Sequence, residues 1–234
     1  MIKSLSSLWS GMLHFIYPSL CEGCGKTLIA QEEILCIECI ALLPLTMYHC
    51  IAENQTVQRF AGRIVFENAT SLAYYTKEGL LQHLLQEFKY RGNKRVGSFL
   101  GKKLGIALKK EGWSSNIDVI VPVPLHVKKS KSRGYNQSEI IAQQVAEILN
   151  VSIDNLNLIR IKNTDTQTRK SRIERAENMN EAFSVNDISA FSGKHILLLD
   201  DVLTTGSTIE GCVAALTAVR GIKISIATIG IATN

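Results

Sequence analysis

Long apolar runs are missing from this 234-residue chain, and their absence limits what the protein can be. No segment has the length and apolarity of a membrane span, which needs about 20 mostly apolar residues. Residues 1–19 place Leu5, Trp9, Met12 and Ile16 on one helical face, but Ser and His interrupt the apolar pattern and no small-residue cleavage site is evident. We therefore expect a cytoplasmic protein whose N-terminal amphipathic helix packs on its body, with peripheral membrane contact as the alternative.

Repeats, low-complexity segments and a nucleotide-binding P-loop are also missing. The lack of a repeat excludes solenoid architectures. The nearest approach to a P-loop, residues 97–103, has the wrong spacing and no Ser or Thr after the lysine. The hydrophobic fraction of 46% is ordinary for a folded protein, and the length allows one moderate domain plus a small appendage.

Acidic residues are scarce between residues 89 and 133, where Glu111 and Asp118 alone oppose twelve basic residues. Solvated helix faces account for some of these lysines, but the imbalance favours a polyanionic partner, either phosphates or nucleic acid. Tyr90 and Tyr135 are the aromatic residues closest to this charge, which is thin support for stacking with single-stranded DNA. The candidate nucleic-acid contacts are Lys89, Arg91, Lys94, Arg95, Lys128, Lys129 and Arg133.

Four of the six cysteines form two CxxC pairs, Cys21 with Cys24 and Cys36 with Cys39. Two such pairs separated by a short segment predict a tetrahedral zinc site with four thiolate ligands, which leaves no open position for catalysis. Disulfides are disfavoured without an export signal, and a redox CxxC more often occurs alone. We expect structural zinc, because so short a segment could hardly bury a core without the metal.

The remaining two cysteines fall outside this pattern. Cys212 lies on an apolar helix and is expected to be a core thiol. Cys50 is a spare or substitute ligand at most. Gly23 and Gly25 suit the tight turn of the first CxxC pair.

The most informative string runs from Ile196 to Thr208. Residues 196–199 predict a buried central strand, followed by Asp200 and Asp201, a hydroxyl-rich loop and a helix over 209–219. Backbone N–H groups at a helix N-terminus favour a phosphate, and two carboxylates just upstream suit ribose hydroxyls or a divalent cation. This layout predicts a sugar-phosphate site built from Asp200, Asp201, Thr204, Thr205, Gly206, Ser207 and Thr208.

Other segments alternate between strand and helix patterns from residue 118 onward, which predicts a parallel sheet covered on both faces. The expected strands are 72–76, 118–121, 158–161 and 222–229, and the expected helices are 80–90, 96–110 and about 134–149. Residues 164–180 are polar and charged, and we expect either a mobile loop or an exposed helix there.

The chain resembles the ComF family of phosphoribosyltransferase-like proteins over nearly its whole length. The matches, in order, are the two CxxC pairs, the segments 88–94, 121–126, 133–138 and 166–180, and the Asp-Asp loop. The resemblance implies an α/β fold with a type I phosphoribosyltransferase-like parallel sheet flanked by helices. A small zinc-ribbon-like module with four cysteine ligands would precede that sheet, with residues 1–55 as the module and 56–234 as the sheet domain.

The same resemblance implies a ligand and roles. Residues 204–208 would bind the 5′-phosphate of Mg²⁺-bound phosphoribosyl pyrophosphate (PRPP), and Asp200 and Asp201, the candidate catalytic residues, would bind the ribose hydroxyls. Leu125 and His126 would lie near the pyrophosphate, and residues 167–180 would close over the ligand.

Family members are associated with uptake of single-stranded DNA beside a helicase. The expected function is an accessory factor in that process. The alternatives are an active phosphoribosyltransferase acting on an unidentified base or amine, and a zinc-organised scaffold that docks a helicase.

Overall fold

The computed structural model describes residues 18–125, 134–161 and 182–233. Several predicted features lie outside these residues: almost all of the N-terminal helix, His126, Lys128, Lys129, Arg133, and residues 164–180. The helices of the described part are α1 (Ile37–Ala41), α2 (Gln55–Phe60), α3 (Leu80–Tyr90), α4 (Lys94–Lys110), α5 (Gln137–Leu149) and α6 (Ser207–Leu216). Its strands are β1 (Ala69–Tyr75), β2 (Val119–Pro122), β3 (Ser152–Ile153), β4 (Leu158–Arg160), β5 (Phe183–Val185), β6 (His195–Leu203) and β7 (Lys223–Ala232).

Five strands form a parallel sheet in the order β1-β7-β6-β2-β3, as the alternation of strand and helix patterns predicts. After β2 the chain adds β3 on one side, and later adds β6 on the other side of β2. The direction of winding therefore reverses between β2 and β6. In open parallel sheets a crevice forms outside the carboxyl ends of the strands at such a point.

Both faces of this sheet are covered, so its central strands are buried throughout. Along β6, Leu197 and Leu199 pack in one core cluster with α3, α4 and α5, whereas Ile196 and Leu198 pack in a second cluster with α6. This alternation follows from the two-residue period of a strand. Cys212 of α6 is fully buried in the second cluster, as expected for a core thiol.

Helix α4 lies close against its neighbours at three glycines, where a side chain would not fit without a shift. A Cβ atom on Gly97 would come within 2.3 Å of the Phe88 ring, and one on Gly101 within 2.9 Å of the Ile141 carbonyl oxygen. A Cβ atom on Gly105 would lie 3.1 Å from the Cβ atom of Ile148. The segment 97–103, rejected above as a P-loop, therefore serves helix packing.

Two strand predictions need correction. β6 does not end at residue 199 but continues through Asp200 and Asp201 to Leu203, because β7 pairs with it up to the pair Leu203–Ile231. β4 does not join the parallel sheet but pairs antiparallel with β5 in a separate two-stranded ladder. Among the described residues no helix is long and apolar enough to cross a bilayer.

Candidate functional site

A pocket of about 160 Å³ lies at the carboxyl ends of β2 and β6, at the reversal point of the sheet. Segments that are distant in sequence meet there: the end of α3, the residues after β2, the start of α5, the end of β6 and the start of α6. The side chains that line the pocket include Lys89, Leu125, Ser138, Asp200, Asp201 and Thr208. The structure therefore brings the predicted Leu125 together with the predicted Asp-Asp pair.

Asp200 is held within the β-ladder at the floor of this pocket. Its Oδ1 accepts hydrogen bonds from the Ser138 hydroxyl and from the Asp201 backbone N–H, both at 2.9 Å. Burial, followed by the neighbouring charge of Asp201, raises the pKa of Asp200 to about 7. This carboxyl is therefore poised between its charged and neutral forms near neutral pH.

Asp201 has a different partner. Its Oδ2 lies 2.8 Å from Nζ of Lys89, and both side chains are less than a fifth exposed. Lys89 belongs to the candidate nucleic-acid residues, but the structure places its ammonium group inside the pocket. The pocket thus contains a cation as well as two carboxylates, which suits a ligand that carries both phosphates and hydroxyl groups.

The hydroxyl-rich loop, residues 204–208, connects β6 to α6. Gly206 caps the helix with φ of +89°, a conformation that favours glycine, and a Cβ there would lie 2.8 Å from the buried Phe60 ring. The hydroxyl groups of Thr205 and Ser207 lie 3.0 Å apart. Thr208, in the first turn of α6, lines the pocket, so this turn of the helix borders the ligand space, whereas residues 204–207 are not part of the lining.

Two arginines missed by the sequence analysis support this loop. Arg59 donates to the carbonyl of Thr204 at 2.7 Å and to that of Ala232 at 3.1 Å. Arg63 donates to the carbonyl of Thr205 at 3.2 Å and pairs with Glu210 at 2.5 Å. Both arginines are more than 140 positions away from the loop in the sequence. Periodicity and motif spacing therefore could not indicate that they contact it.

Ser138 and its neighbours were matched as a family segment but not predicted as site residues. Asn136 caps α5 by accepting from Ser138 N–H at 3.1 Å, and its side-chain amide donates to the carbonyl of Val123 at 3.0 Å. These bonds join the start of α5 to the segment after β2. They also orient the Ser138 hydroxyl toward Asp200.

The four predicted zinc ligands meet in the N-terminal module, where Cys21, Cys36 and Cys39 are buried and Cys24 is exposed. The sulfur atoms of Cys21, Cys24, Cys36 and Cys39 all lie within 4.8 Å of one another. A Cβ on Gly23 would lie 2.9 Å from the Cys39 sulfur, and Gly25 has φ of +74°, so both glycines serve the turn as predicted.

Hydrogen bonds prepare this cluster for a metal ion. The backbone N–H groups of Cys36 and Gly23 donate to the Cys21 sulfur at 3.2 and 3.4 Å. Burial acts to raise the pKa of Cys21, but these bonds outweigh it and bring the pKa down to about 7. This favours the thiolate form of Cys21, whereas burial raises the pKa of Cys39, whose proton would leave only as a metal binds. The convergence of four sulfur atoms fits a structural zinc ion.

Three of the other candidate nucleic-acid residues are exposed but have intramolecular contacts. Arg91 pairs with Glu87 at 2.9 Å, Lys94 lies 5.0 Å from the centre of the Tyr135 ring, and Arg95 donates to the carbonyl of Glu33 at 2.9 Å. The contact to Glu33 places Arg95 beside the cysteine module.

Comparison with known proteins adds independent findings. A family model described as a phosphoribosyl transferase domain matches residues 135–230. Competence protein F of Haemophilus influenzae is 31% identical over 206 residues, which cover 86% of this chain and 85% of that protein. The DNA utilization protein YhgH of Salmonella typhimurium is 28% identical over 81% of this chain and 80% of its own length.

Among solved structures, a glutamine phosphoribosylpyrophosphate amidotransferase from B. subtilis, complexed with ADP and GMP, aligns with a TM-score of 0.41 and 21% identity. The alignment covers 60% of this chain and 30% of that one.

Proposed function

Because the chain belongs to the ComF family of competence proteins, we propose that it is an accessory factor in the uptake of single-stranded DNA and that its pocket binds Mg²⁺-bound PRPP. Its fold is a type I phosphoribosyltransferase-like parallel sheet with flanking helices, preceded by a four-cysteine cluster. The role in DNA uptake is supported by the names of its relatives, and the ligand by its own pocket.

One observation carries the ligand proposal. The carboxylates Asp200 and Asp201, the cation Lys89 and the N-terminal end of α6 face one pocket at the reversal point of the sheet. Carboxylates accept hydrogen bonds from ribose hydroxyls, the helix N-terminus attracts the 5′-phosphate, and a lysine attracts a diphosphate. PRPP carries all three groups on one small molecule.

The residues also fit the magnesium ion that accompanies PRPP. Mg²⁺ is usually held by one or two carboxylates together with substrate phosphates, and retains several waters. Asp200 and Asp201 supply such carboxylates in the pocket, near the carboxyl end of β6. The ion would neutralise phosphate charge there, while Lys89 remains as a second cation for the ligand.

Titration calorimetry of Mg²⁺-PRPP into the full chain tests this proposal. The wild-type protein should give saturable heat, and the double variant Asp200→Asn, Asp201→Asn should give none, because the hydroxyl acceptors lose their charge. The exposed Glu147→Gln serves as a control that removes a charge elsewhere and should bind as the wild type does. If the wild type gives no heat, or if the double variant gives equal heat, the proposal that this pocket binds Mg²⁺-PRPP is wrong.

Arg59→Lys tests the loop within the same titration. Lysine keeps the positive charge but lacks the planar fork that reaches two carbonyl oxygens at once. We expect about tenfold weaker PRPP binding, since a hydrogen bond from a charged donor is worth roughly 1.5–3 kcal/mol. Unchanged affinity would show that the loop holds its conformation without Arg59.

An active phosphoribosyltransferase is the second candidate function. Lys89 and Arg160 both line the pocket, and cations there would stabilise the negative charge that develops on departing pyrophosphate. Incubation with Mg²⁺-PRPP and candidate bases or amines should then release pyrophosphate in the wild type and not in the double asparagine variant. Binding of PRPP without release of pyrophosphate would argue against the transferase and favour the accessory role.

A further inference from the structure

A second group of metal-ligating side chains lies away from the four cysteines. It is formed by His49, Cys50 and Glu111, whose ligand atoms all lie within 4.8 Å of one another. His49 and Cys50 belong to the 3₁₀ turn Tyr48–Cys50, and Glu111 follows the last residue of α4. His49 is half-buried, whereas Cys50 and Glu111 are exposed.

The turn that carries two of these donors is firmly anchored. The Tyr48 N–H donates to the hydroxyl of the buried Thr46 at 3.1 Å, and the Tyr48 hydroxyl lies 2.9 Å from that of Tyr74 in β1. In the metal-free protein the Cys50 thiol donates to the carbonyl of Met47 at 3.0 Å. That proton would leave to solvent when the thiolate binds a metal. The imidazole and thiol are therefore presented by a turn that the sheet holds in place.

The third donor is presented by a separate element. Glu111 caps the C-terminal end of α4, and Gly112 follows with φ of +72°, so the chain turns away immediately after the carboxylate. Two elements that are fixed independently thus bring nitrogen, sulfur and oxygen donors together. Such preorganisation lowers the ordering cost of binding an ion.

We propose that His49, Cys50 and Glu111 bind a divalent transition cation of the zinc class. Imidazole, thiolate and carboxylate are the ligand types that zinc takes, and the two anionic donors would neutralise the dication. Three protein ligands leave a fourth tetrahedral position for water or another ligand, in contrast to the closed four-cysteine cluster.

The distances are compatible with this assignment after a small closure. Zinc bonds of about 2.0–2.3 Å imply separations of roughly 3.3–3.8 Å between tetrahedral ligand atoms. Donors within 4.8 Å of one another need to approach by about 1.5 Å at most. The exposed Glu111 side chain can make that movement without disturbing the core.

Bound metal would link two parts of the chain. The 3₁₀ turn leads into α2, which carries Arg59, and Arg59 holds the loop at Thr204. Glu111 lies at the far end of α4, the helix that begins beside the cysteine module. The ion would therefore fasten the segment ahead of α2 to the helical layer of the sheet.

The test counts metal in the full-length protein and in matched variants. The purified protein is titrated with Zn²⁺ in the presence of a chromophoric chelator, and the bound equivalents are counted. We expect the wild type to bind one more equivalent than His49→Ala or Cys50→Ser. His83→Ala, which removes an exposed histidine elsewhere, should bind the same number as the wild type.

A Co²⁺ titration provides a second readout, because thiolate coordination produces a charge-transfer band. In a protein whose four-cysteine cluster is already filled with zinc, added Co²⁺ should give this band in the wild type and not in Cys50→Ser. Equal zinc counts in the wild type and His49→Ala, or a Co²⁺ band that survives Cys50→Ser, would overturn the proposal. Circular dichroism of each variant confirms that it has folded, which is expected because none of the three side chains is in the core.

Discussion

At the scale of single residues, two adjacent aspartates have opposite environments. Asp201 is paired with Lys89 at 2.8 Å, whereas Asp200 accepts hydrogen bonds from Ser138 and a backbone N–H and lies partly buried in the lining of the pocket. Burial and the charge of Asp201 raise the pKa of Asp200 to about 7. The pair is therefore expected to carry fewer than two negative charges in the ligand-free protein at neutral pH.

This shift predicts how stability depends on pH. The folded state holds the Asp200 proton more tightly than the unfolded chain, whose aspartates titrate near 3.8. The free energy of unfolding should therefore fall as the pH rises from about 4 to about 7. Asp200→Asn keeps the acceptor oxygen and removes the titration. It should be more stable than the wild type at pH 8 by on the order of 2–4 kcal/mol, and similar at pH 4.

Urea denaturation in magnesium-free buffer at both pH values measures this difference. The exposed Glu147→Gln is the control, and its stability should follow that of the wild type at each pH. A constant gap between Asp200→Asn and the wild type across the range would contradict the raised pKa.

The residue scale also shows what the sequence could predict of the site. Asp200, Asp201 and the loop were predicted because a strand, two carboxylates and a Gly-containing turn are contiguous. Lys89 was assigned to a nucleic-acid surface because only its charge was visible, and its contact with Asp201 depends on how α3 packs. Arg59 and Arg63 were missed because their partners are main-chain carbonyl oxygens, which leave no trace in the sequence.

At the scale of elements, the close approach of α3 and α4 depends on Gly97. A Cβ there would lie 2.3 Å from the fully buried Phe88 ring. Gly97→Ala gains about 1 kcal/mol of helix propensity, but overpacking of a tight core costs about 1–3 kcal/mol. We expect a net loss of stability, measured by thermal or urea unfolding.

A second substitution separates the steric clash from other causes. Phe88→Leu shortens the side chain that the new methyl group would strike. In a double-mutant cycle, Gly97→Ala should cost less in the Phe88→Leu background than in the wild type. An equal cost in both backgrounds would mean that the Phe88 ring is not what limits position 97.

Periodicity predicted the helices well and the strand ends poorly. The leucines of residues 80–90 gave α3 its observed limits, because one buried face repeats along the helix. β6 was predicted to stop before Asp200 because carboxylates usually end a buried run, but pairing with β7 holds them within the strand. The sequence of β4 did not indicate its separate ladder, since a three-residue strand is too short to reveal its partner.

At the scale of the whole molecule, the described basic residues between 89 and 95 lie in two different environments. Lys89 lies in the pocket, whereas Lys94 and Arg95 lie exposed at the start of α4, beside the cysteine module. Single-stranded DNA binding, if it uses this surface, depends on phosphate contacts that release counterions.

Charge reversal tests this surface. Lys94→Glu with Arg95→Glu should weaken binding of a single-stranded oligonucleotide and lower the salt slope by roughly 1.4, the amount expected for two lost phosphate contacts. Lys77→Glu with Lys194→Glu changes the net charge equally at exposed positions elsewhere and should have a smaller effect. Equal loss in both pairs would indicate a general charge effect, and no loss in the first pair would exclude this surface.

The strand order has a practical consequence for anyone who expresses part of this protein. A fragment limited to the matched residues 135–230 would lack β1 and β2, the partners of β7 and β6, and would expose an unpaired strand edge on each side. Exposed apolar edges promote aggregation. The fragment would also lack Arg59, Lys89 and Leu125, so its failure to bind a ligand would say nothing about the intact chain.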